Sequence, residues 1–277
     1  MRLRAMTNLA FPSNEEDSEA LPDDVLFLDR RGDERAQAFL GIHFSSFSPE
    51  NLLRRVEEIG NAKRPFVYLC TPNVDHLVRL DREPELHDLY ANAWANVNDS
   101  RILETLAELS GLALPACPGS DLTQALFESC IDPCEPVVVI GGTEDVIEAV
   151  RKRYGLSDLR WHAPPYGLRT NPAAMAEAAA FVAANPARFT FLCVGAPQQE
   201  ILAKLIHTQE RAVGIGLCVG ASIDFLSGSR KRAPQWMQQS RLEWLFRLLD
   251  EPQKLWRRYL VEGPRIFKIW VAWRKSR

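Results

Sequence analysis

From Phe39 onward the chain alternates between short, continuous apolar runs and longer segments in which apolar residues recur every three or four positions. Phe39–Phe44, Phe66–Cys70, Val137–Ile140, Phe189–Val194 and Ala212–Val219 are the apolar runs. Several are apolar at consecutive positions, the pattern of strands buried on both faces. The segments between them carry helix starts; Ser48-Pro49-Glu50, for example, offers a cap residue and then proline in the first turn. Regular alternation of strand and helix predicts an α/β fold with a mostly parallel sheet and helices on both faces. After Gly228 the strand pattern stops, and helical segments broken at Pro252 and Pro264 predict a C-terminal helical appendage. Three regions follow: a polar, acidic leader over 1–36 that is disordered or loosely draped, a core over 37–228, and the appendage over 229–277.

Charge adds an asymmetry that the pattern does not show. The 277 residues carry a net charge of −3, yet 229–277 hold 13 Lys and Arg against 4 Asp and Glu. Five of the seven tryptophans, Trp236, Trp244, Trp256, Trp270 and Trp273, lie in the same stretch. A basic, Trp-rich end predicts a partner bearing phosphates, and Trp beside Arg or Lys is how an interfacial helix sits at headgroup depth. Packing against the core is the competing reading, strong for Trp244 and weaker for Trp270 and Trp273. The apolar stretch Ile266–Trp273 is interrupted by Lys268 and is far short of the roughly 20 residues a spanning helix needs. No signal-peptide core precedes the acidic run at Glu15–Glu19. The six cysteines sit mostly in apolar runs and lack zinc-site spacing, which reads as buried thiols of a reducing compartment.

In open α/β sheets ligands collect beyond the carboxyl ends of the strands, so the residues that follow each strand are the candidates for chemistry. Thr71 and Asn73 stand at the first such end, where a hydroxyl and an amide can hold a sugar or phosphate or simply cap the helix; His76 reads as an ordinary helix residue. Asp99 ends the next approach and has the chemistry of a general base, with capping of the helix from Ser100 as the alternative. Gly141 and Gly142 follow a buried strand and allow backbone N–H groups to approach a diphosphate. Gly195 and the Gln198-Gln199-Glu200 turn repeat that logic, and Asp224 is a further candidate partner for a ribose or base. The dinucleotide and P-loop glycine motifs are absent, as are metal-ligand spacing and a strand-end Asp-x-Asp. A diphosphate would therefore be met by appendage cations: Arg241, Arg247, Lys254, Arg257 and Arg258.

In order along the chain, TPNVDHLV, NVNDSRIL, PGSDL, VVVIGGTE, WHAPPYG, VGAPQQE, GASIDFLSG, APQWMQQSRLEWLFRLLDEP and KLWRRYL resemble the successive blocks of the WecG/TagA/CpsF glycosyltransferases. The resemblance spans about 39–262, and its last two blocks are too long to arise by chance. It implies a Rossmann-like core and a metal-independent, inverting transferase needing no cofactor. The donor would be a UDP-sugar of the N-acetylmannosamine kind, and the acceptor a sugar on a polyprenyl diphosphate in cell-envelope or exopolysaccharide synthesis. Position by position, Asp99 matches the base, Thr71 and Asn73 the pocket around it, and Gln199 the glutamine of the GxPxQE block. Asp224 matches the nucleotide-side aspartate, with Gly141, Gly142, Tyr166 and Gly195 on the donor side. Arg247, Lys254 and Arg257 match the cations that meet the diphosphate. Two positions depart from the pattern: the usual Asp-Gly-x-Gly is Asp99-Ser100-Arg101-Ile102, and Lys254 stands where Arg is common. The resemblance implies a cytoplasmic enzyme, peripheral on the inner face of the plasma membrane through its C-terminal helices, with self-association and no nucleic-acid partner. The alternative is a catalytically degenerate scaffold that binds nucleotide sugar or lipid.

Overall fold

The computed structural model describes residues 36–229, 233, 234, 237 and 243–277, and only the backbone of Glu243, Arg247, Lys254 and Arg258. The leader predicted over 1–36 thus lies, except for Ala36, outside the described residues, as do Trp236 and Arg241.

Four consecutive apolar residues that are buried on both faces make a strand interior to a parallel sheet, and β3 (Val67–Cys70) and β5 (Val137–Gly141) are of this kind. With β4 (Ala95–Asn96), β6 (Leu159–His162), β7 (Phe189–Cys193) and β8 (Ile215–Cys218) they form, among the described residues, a six-stranded parallel sheet in the order β4-β3-β8-β7-β5-β6. The expected α/β, Rossmann-like architecture is what the chain adopts. Helices α1 (Pro49–Ile59), α5 (Gly119–Ser129), α6 (Glu144–Tyr154) and α9 (Ser222–Ser227) pack with one another on one side. On the other, α3 (His87–Ala91) and α7 (Pro172–Ala184) pack on α8 (Gln198–His207), with α2 (Val74–Arg82) nearby. The core between them is dry: Val137–Ile140, Phe189, Phe191, Leu192, Ile215 and Leu217 are fully buried.

The strand expected over Phe39–Phe44 is instead a hairpin, β1 (Ala36–Phe39) paired antiparallel to β2 (Ile42–Ser45). Its two-residue turn places Leu40 at φ 50° and Gly41 at φ 92°, a mirror-image turn that matches strand twist. Leucine is an unusual residue in that conformation, so the run reads as unbroken in the sequence.

Most of the described C-terminal part is helical: α10 (Glu243–Asp250), α11 (Pro252–Trp256), a π-helical segment over Arg257–Glu262, and α12 (Arg265–Lys275). Pro252 sits in the first turn of α11 and Pro264 caps α12, so both breaks fall where the prolines put them. Helix α12 lies against α2, with Ile266 buried. Trp270 donates from Nε1 to Ser110 Oγ (2.8 Å) and Leu106 O (3.1 Å). The Trp273 ring meets Phe39 edge-on at 5.1 Å. Packing onto the core therefore accounts for Trp270 and Trp273, the two for which the sequence favours that reading least. Among the described residues no helix is long and apolar enough to cross a membrane. The cysteines are all free; Cys70, Cys117 and Cys218 are buried, but Cys134 is exposed, because it lies in the α5–β5 turn rather than in an apolar run.

Candidate active site

Successive strand ends β3, β8, β7 and β5 lie side by side at the carboxyl edge of the sheet, and the chain leaves β3 toward one edge and β5 toward the other. At the end of β3, Thr71 is buried and donates its hydroxyl to Cys218 O at 2.8 Å, tying two strand ends together. Gly119 sits against it: a Cβ there would come within 3.2 Å of Thr71 Oγ1. Asn73 caps α2, its Oδ1 accepting from Asp75 N–H at 3.1 Å. The capping of α2 and the placing of an amide near the site are thus done by one residue, not two alternatives.

The segment after β4 shows which residue caps the helix that follows it. Ser100 is the N-cap of α4 (Arg101–Glu108) and accepts from Leu103 N–H at 3.4 Å, while Asn98 Oδ1 accepts from Ser100 N–H at 2.9 Å. Asp99 is therefore not the cap of the helix that follows it. Its Oδ1 accepts from Gly119 N–H at 2.9 Å and its Oδ2 from Asn73 Nδ2 at 3.2 Å. Gly119 opens α5, whose N-cap residue, Pro118, has no hydrogen-bond acceptor in its side chain, so Asp99 supplies the missing acceptor from outside. Each carboxylate oxygen can accept more than one hydrogen bond, which lets the group meet a substrate hydroxyl while it is held.

Asp99, Asn73, Ser100 and Arg101 line a cleft of about 400 Å³ whose opposite wall comes from the C-terminal helices, with Trp244, Tyr259 and Phe267. Its size suits a small organic ligand. The two walls differ in chemistry. One carries the carboxylates of Asp75, Asp99 and Asp121 among Val74, Val78 and Ile102; the other has aromatic and aliphatic residues and one carboxylate, Glu262, with Trp244 and Tyr259 ring centres 6.1 Å apart. Arg101 is half-exposed at the rim and held by Glu104 at 3.0 Å, and Glu104 Oε1 also accepts from Ala116 N–H. The two positions at which the family pattern has glycine are Ser100, which caps α4, and Ile102, which lines the cleft.

The remaining predicted residues sit elsewhere along the same edge. Gly141 (φ 100°) ends β5 so close to β7 that a Cβ would lie 2.7 Å from Cys193 O, which explains glycine there without a ligand. Gly142 and Gly195 also have positive φ, and Gly195 faces open space. Asp224 lies on α9, partly buried, and Tyr166 is fully exposed on the loop after β6. Among the described residues the cleft's lining includes none of these five. Gln199 is buried, donating from Nε2 to Glu200 Oε1 (2.8 Å) and accepting from Gly220 N–H (3.0 Å), so it braces the turn after β8. Arg257 is exposed at the start of the π-helical segment; the side chains of Arg247 and Lys254 lie outside the described ones. Among the described residues no group of three or more His, Cys, Asp and Glu is placed to hold a metal ion.

Two buried residues behind the cleft, His76 and Glu200, escape sequence reasoning. A lone histidine in an amphipathic helix carries no signal, and Glu200 reads as one more polar residue of its turn; only the fold brings them to within 3.5 Å.

Residues 37–277 match the sequence-family model of the glycosyl transferase WecG/TagA/CpsF family. With a match of that extent over a parallel α/β core, and a carboxylate presented in a cleft at the strand ends, the chain belongs to the WecG/TagA/CpsF family and is a glycosyltransferase.

Proposed function

We propose that the enzyme transfers a sugar of the N-acetylmannosamine kind from a UDP-sugar to a sugar carried on a polyprenyl diphosphate, in cell-envelope or exopolysaccharide synthesis. The observation that carries the reading is the Asp99 carboxylate, fixed from two sides in a cleft that also has Trp244, Tyr259 and Phe267 in its lining. In the reaction, Asp99 accepts the proton of the acceptor hydroxyl as its oxygen bonds to the anomeric carbon. The bond from that carbon to the UDP oxygen breaks on the opposite face, so the product is inverted and UDP departs with the electron pair. The charge that develops on UDP is met without a metal, by Arg247, Lys254 and Arg257 of the C-terminal helices and by backbone N–H groups at Gly141, Gly142 and Gly195. Asp224 and Tyr166 belong to the nucleotide side, and Thr71 and Gln199 keep the strand ends in register around it.

The aromatic wall of Trp244, Tyr259 and Phe267 suits the first isoprene units of the acceptor. Beyond it Trp256, Leu260, Val261 and Val271 are exposed apolar residues among Arg257, Arg265, Lys268 and Arg274, the make-up of a surface that lies on an anionic bilayer. In this reading the protein is peripheral on the cytoplasmic face of the membrane, where such an acceptor is presented. Against the degenerate-scaffold reading, Ser100 takes a cap position with φ −138°, a conformation open to any residue, so the absence of glycine there strains nothing.

The test is UDP release from a panel of UDP-sugars, with a polyprenyl-diphosphate-linked N-acetylglucosamine acceptor, in the presence of EDTA. Acceptor-dependent release from at least one donor is expected. UDP binding with no release from any donor would return the scaffold reading, and release abolished by EDTA would contradict metal independence.

A further inference from the structure

The carboxylate of Asp99 is the visible end of a chain of polar contacts that runs into the protein. Asn73 cannot turn its amide over, because Oδ1 accepts from Asp75 N–H and Nδ2 donates to Asp99 Oδ2. That orientation brings Asn73 Oδ1 to 2.9 Å from His76 Nδ1, and the Asn73 backbone N–H stands 3.2 Å from the same ring nitrogen. In either ring form Asn73 holds the imidazole by one hydrogen bond: a protonated Nδ1 donates to Asn73 Oδ1, and a bare Nδ1 accepts from the Asn73 N–H.

On its far side the ring points Nε2 at Glu200 Oε1, 3.5 Å away. Glu200 is fully buried, His76 nearly so, and neither His76 Nε2 nor Glu200 Oε2 has a hydrogen-bond partner among the described residues. Burying a carboxylate with one oxygen unsatisfied works against folding, and replacing such a pair by apolar residues usually stabilises a protein. The nearby Tyr90 does not relieve it. Burial first, and then the charge of Glu200, push the Tyr90 hydroxyl well above the ordinary phenol range, and a neutral phenol offers no charge of opposite sign. Packing α2 on α8 would be served better by aliphatic side chains. What the pair does provide is a rigid abutment behind Asn73: Gln199 fixes Glu200 from the side and is itself fixed by Gly220 N–H at the next strand end.

We propose that His76 and Glu200 are positioning residues, which hold Asn73 and through it keep the Asp99 carboxylate aimed into the cleft. Neither touches substrate. The inference rests on the reading of Asp99 as the base, and two experiments separate its failure from the failure of that reading.

The first is kinetic. Glu200→Gln, nearly isosteric, is expected to lower kcat about tenfold with KM little changed, and to have little further effect in an Asn73→Ala background, since the coupling passes through Asn73. An effect of equal size in both backgrounds, or one confined to KM, would overturn the proposal. The second needs no turnover and no disruption of the buried pair. In protein labelled with ¹⁵N-histidine, the half-exposed substitution Asp99→Asn is expected to shift the ring resonances of His76 and leave those of His43, His87, His162 and His207 in place. Unchanged His76 resonances would refute the coupling even if Glu200→Gln did not fold. Absence of turnover in the unmodified enzyme would instead fail the transferase reading, with the ring resonances still deciding the coupling.

Discussion

Asp99 carries two duties on one carboxylate, and substitutions separate them. Asparagine keeps an oxygen for Gly119 N–H, so Asp99→Asn is expected to melt close to the unmodified protein. Asp99→Ala leaves the start of α5 uncapped and should cost about 1 kcal/mol in urea or thermal unfolding. Equal stability losses in the two variants would show that the contact with α5 contributes nothing. The thiols make a second residue-scale prediction. Burial pushes the Cys117 thiol up to about 11 and raises that of Cys70, so near pH 8 neither presents much thiolate, and neither is accessible. Cys134 is exposed. A maleimide at pH 8 should label Cys134 first and leave Cys70 and Cys117 unlabelled in the folded protein, as peptide mass spectrometry would show; early labelling of Cys117 would contradict the burial.

Individual elements show how loops at the strand ends are held. The loop bearing Tyr166 is pinned by Arg169, which pairs with Glu83 beyond the end of α2 and donates its backbone N–H to Gln198 Oε1. The Arg169 hydrogen bond holds the Glu83 carboxyl below its ordinary range. A depressed carboxylate contributes stability above the unfolded carboxylate pKa, and that contribution is lost as pH falls through the lower, folded value. Arg169→Ala should therefore lower the melting temperature at pH 7 by a small amount, since exposed pairs are worth about 1 kcal/mol or less, and the difference should close in acid below about pH 4. A difference that is the same at pH 7 and pH 3 would mean that the pair is not its source. Elements also differ in how far the sequence reveals them. Buried parallel strands such as Val137–Gly141 are legible because four apolar residues in a row suit a strand covered on both faces and little else of that length. Strand β6 is not legible, because Arg160 and His162 interrupt it and it lies at the sheet edge, where polar residues reach solvent. Asp99 is legible as a strand-end carboxylate, but its freedom from capping α4 is not. That depends on Asn98 and Ser100 satisfying the helix start themselves, and on a helix 20 residues later that begins at a proline unable to cap it.

At the scale of the whole molecule, groups from distant parts of the chain meet at one cleft: Asp99 from the sheet edge, Tyr259 and Phe267 from the C-terminal helices. The charge asymmetry along the sequence persists in the described C-terminal helices, where Arg257, Arg265, Lys268 and Arg274 are exposed and Val261 and Val271 add exposed apolar surface. If that surface meets an anionic bilayer, Val261→Glu and Val271→Glu should each weaken flotation with phosphatidylglycerol vesicles about tenfold, through lost apolar burial and added like-charge repulsion. Binding unchanged in both would place the membrane contact elsewhere. The most direct measurement of the account as a whole compares the unmodified enzyme with Asp99→Asn in acceptor-dependent UDP release. A base acting only in the transition state predicts a fall in kcat of at least about a hundredfold with KM little changed and the fold retained. Turnover by Asp99→Asn at the unmodified rate would contradict it, and the proton would have to be taken by another group.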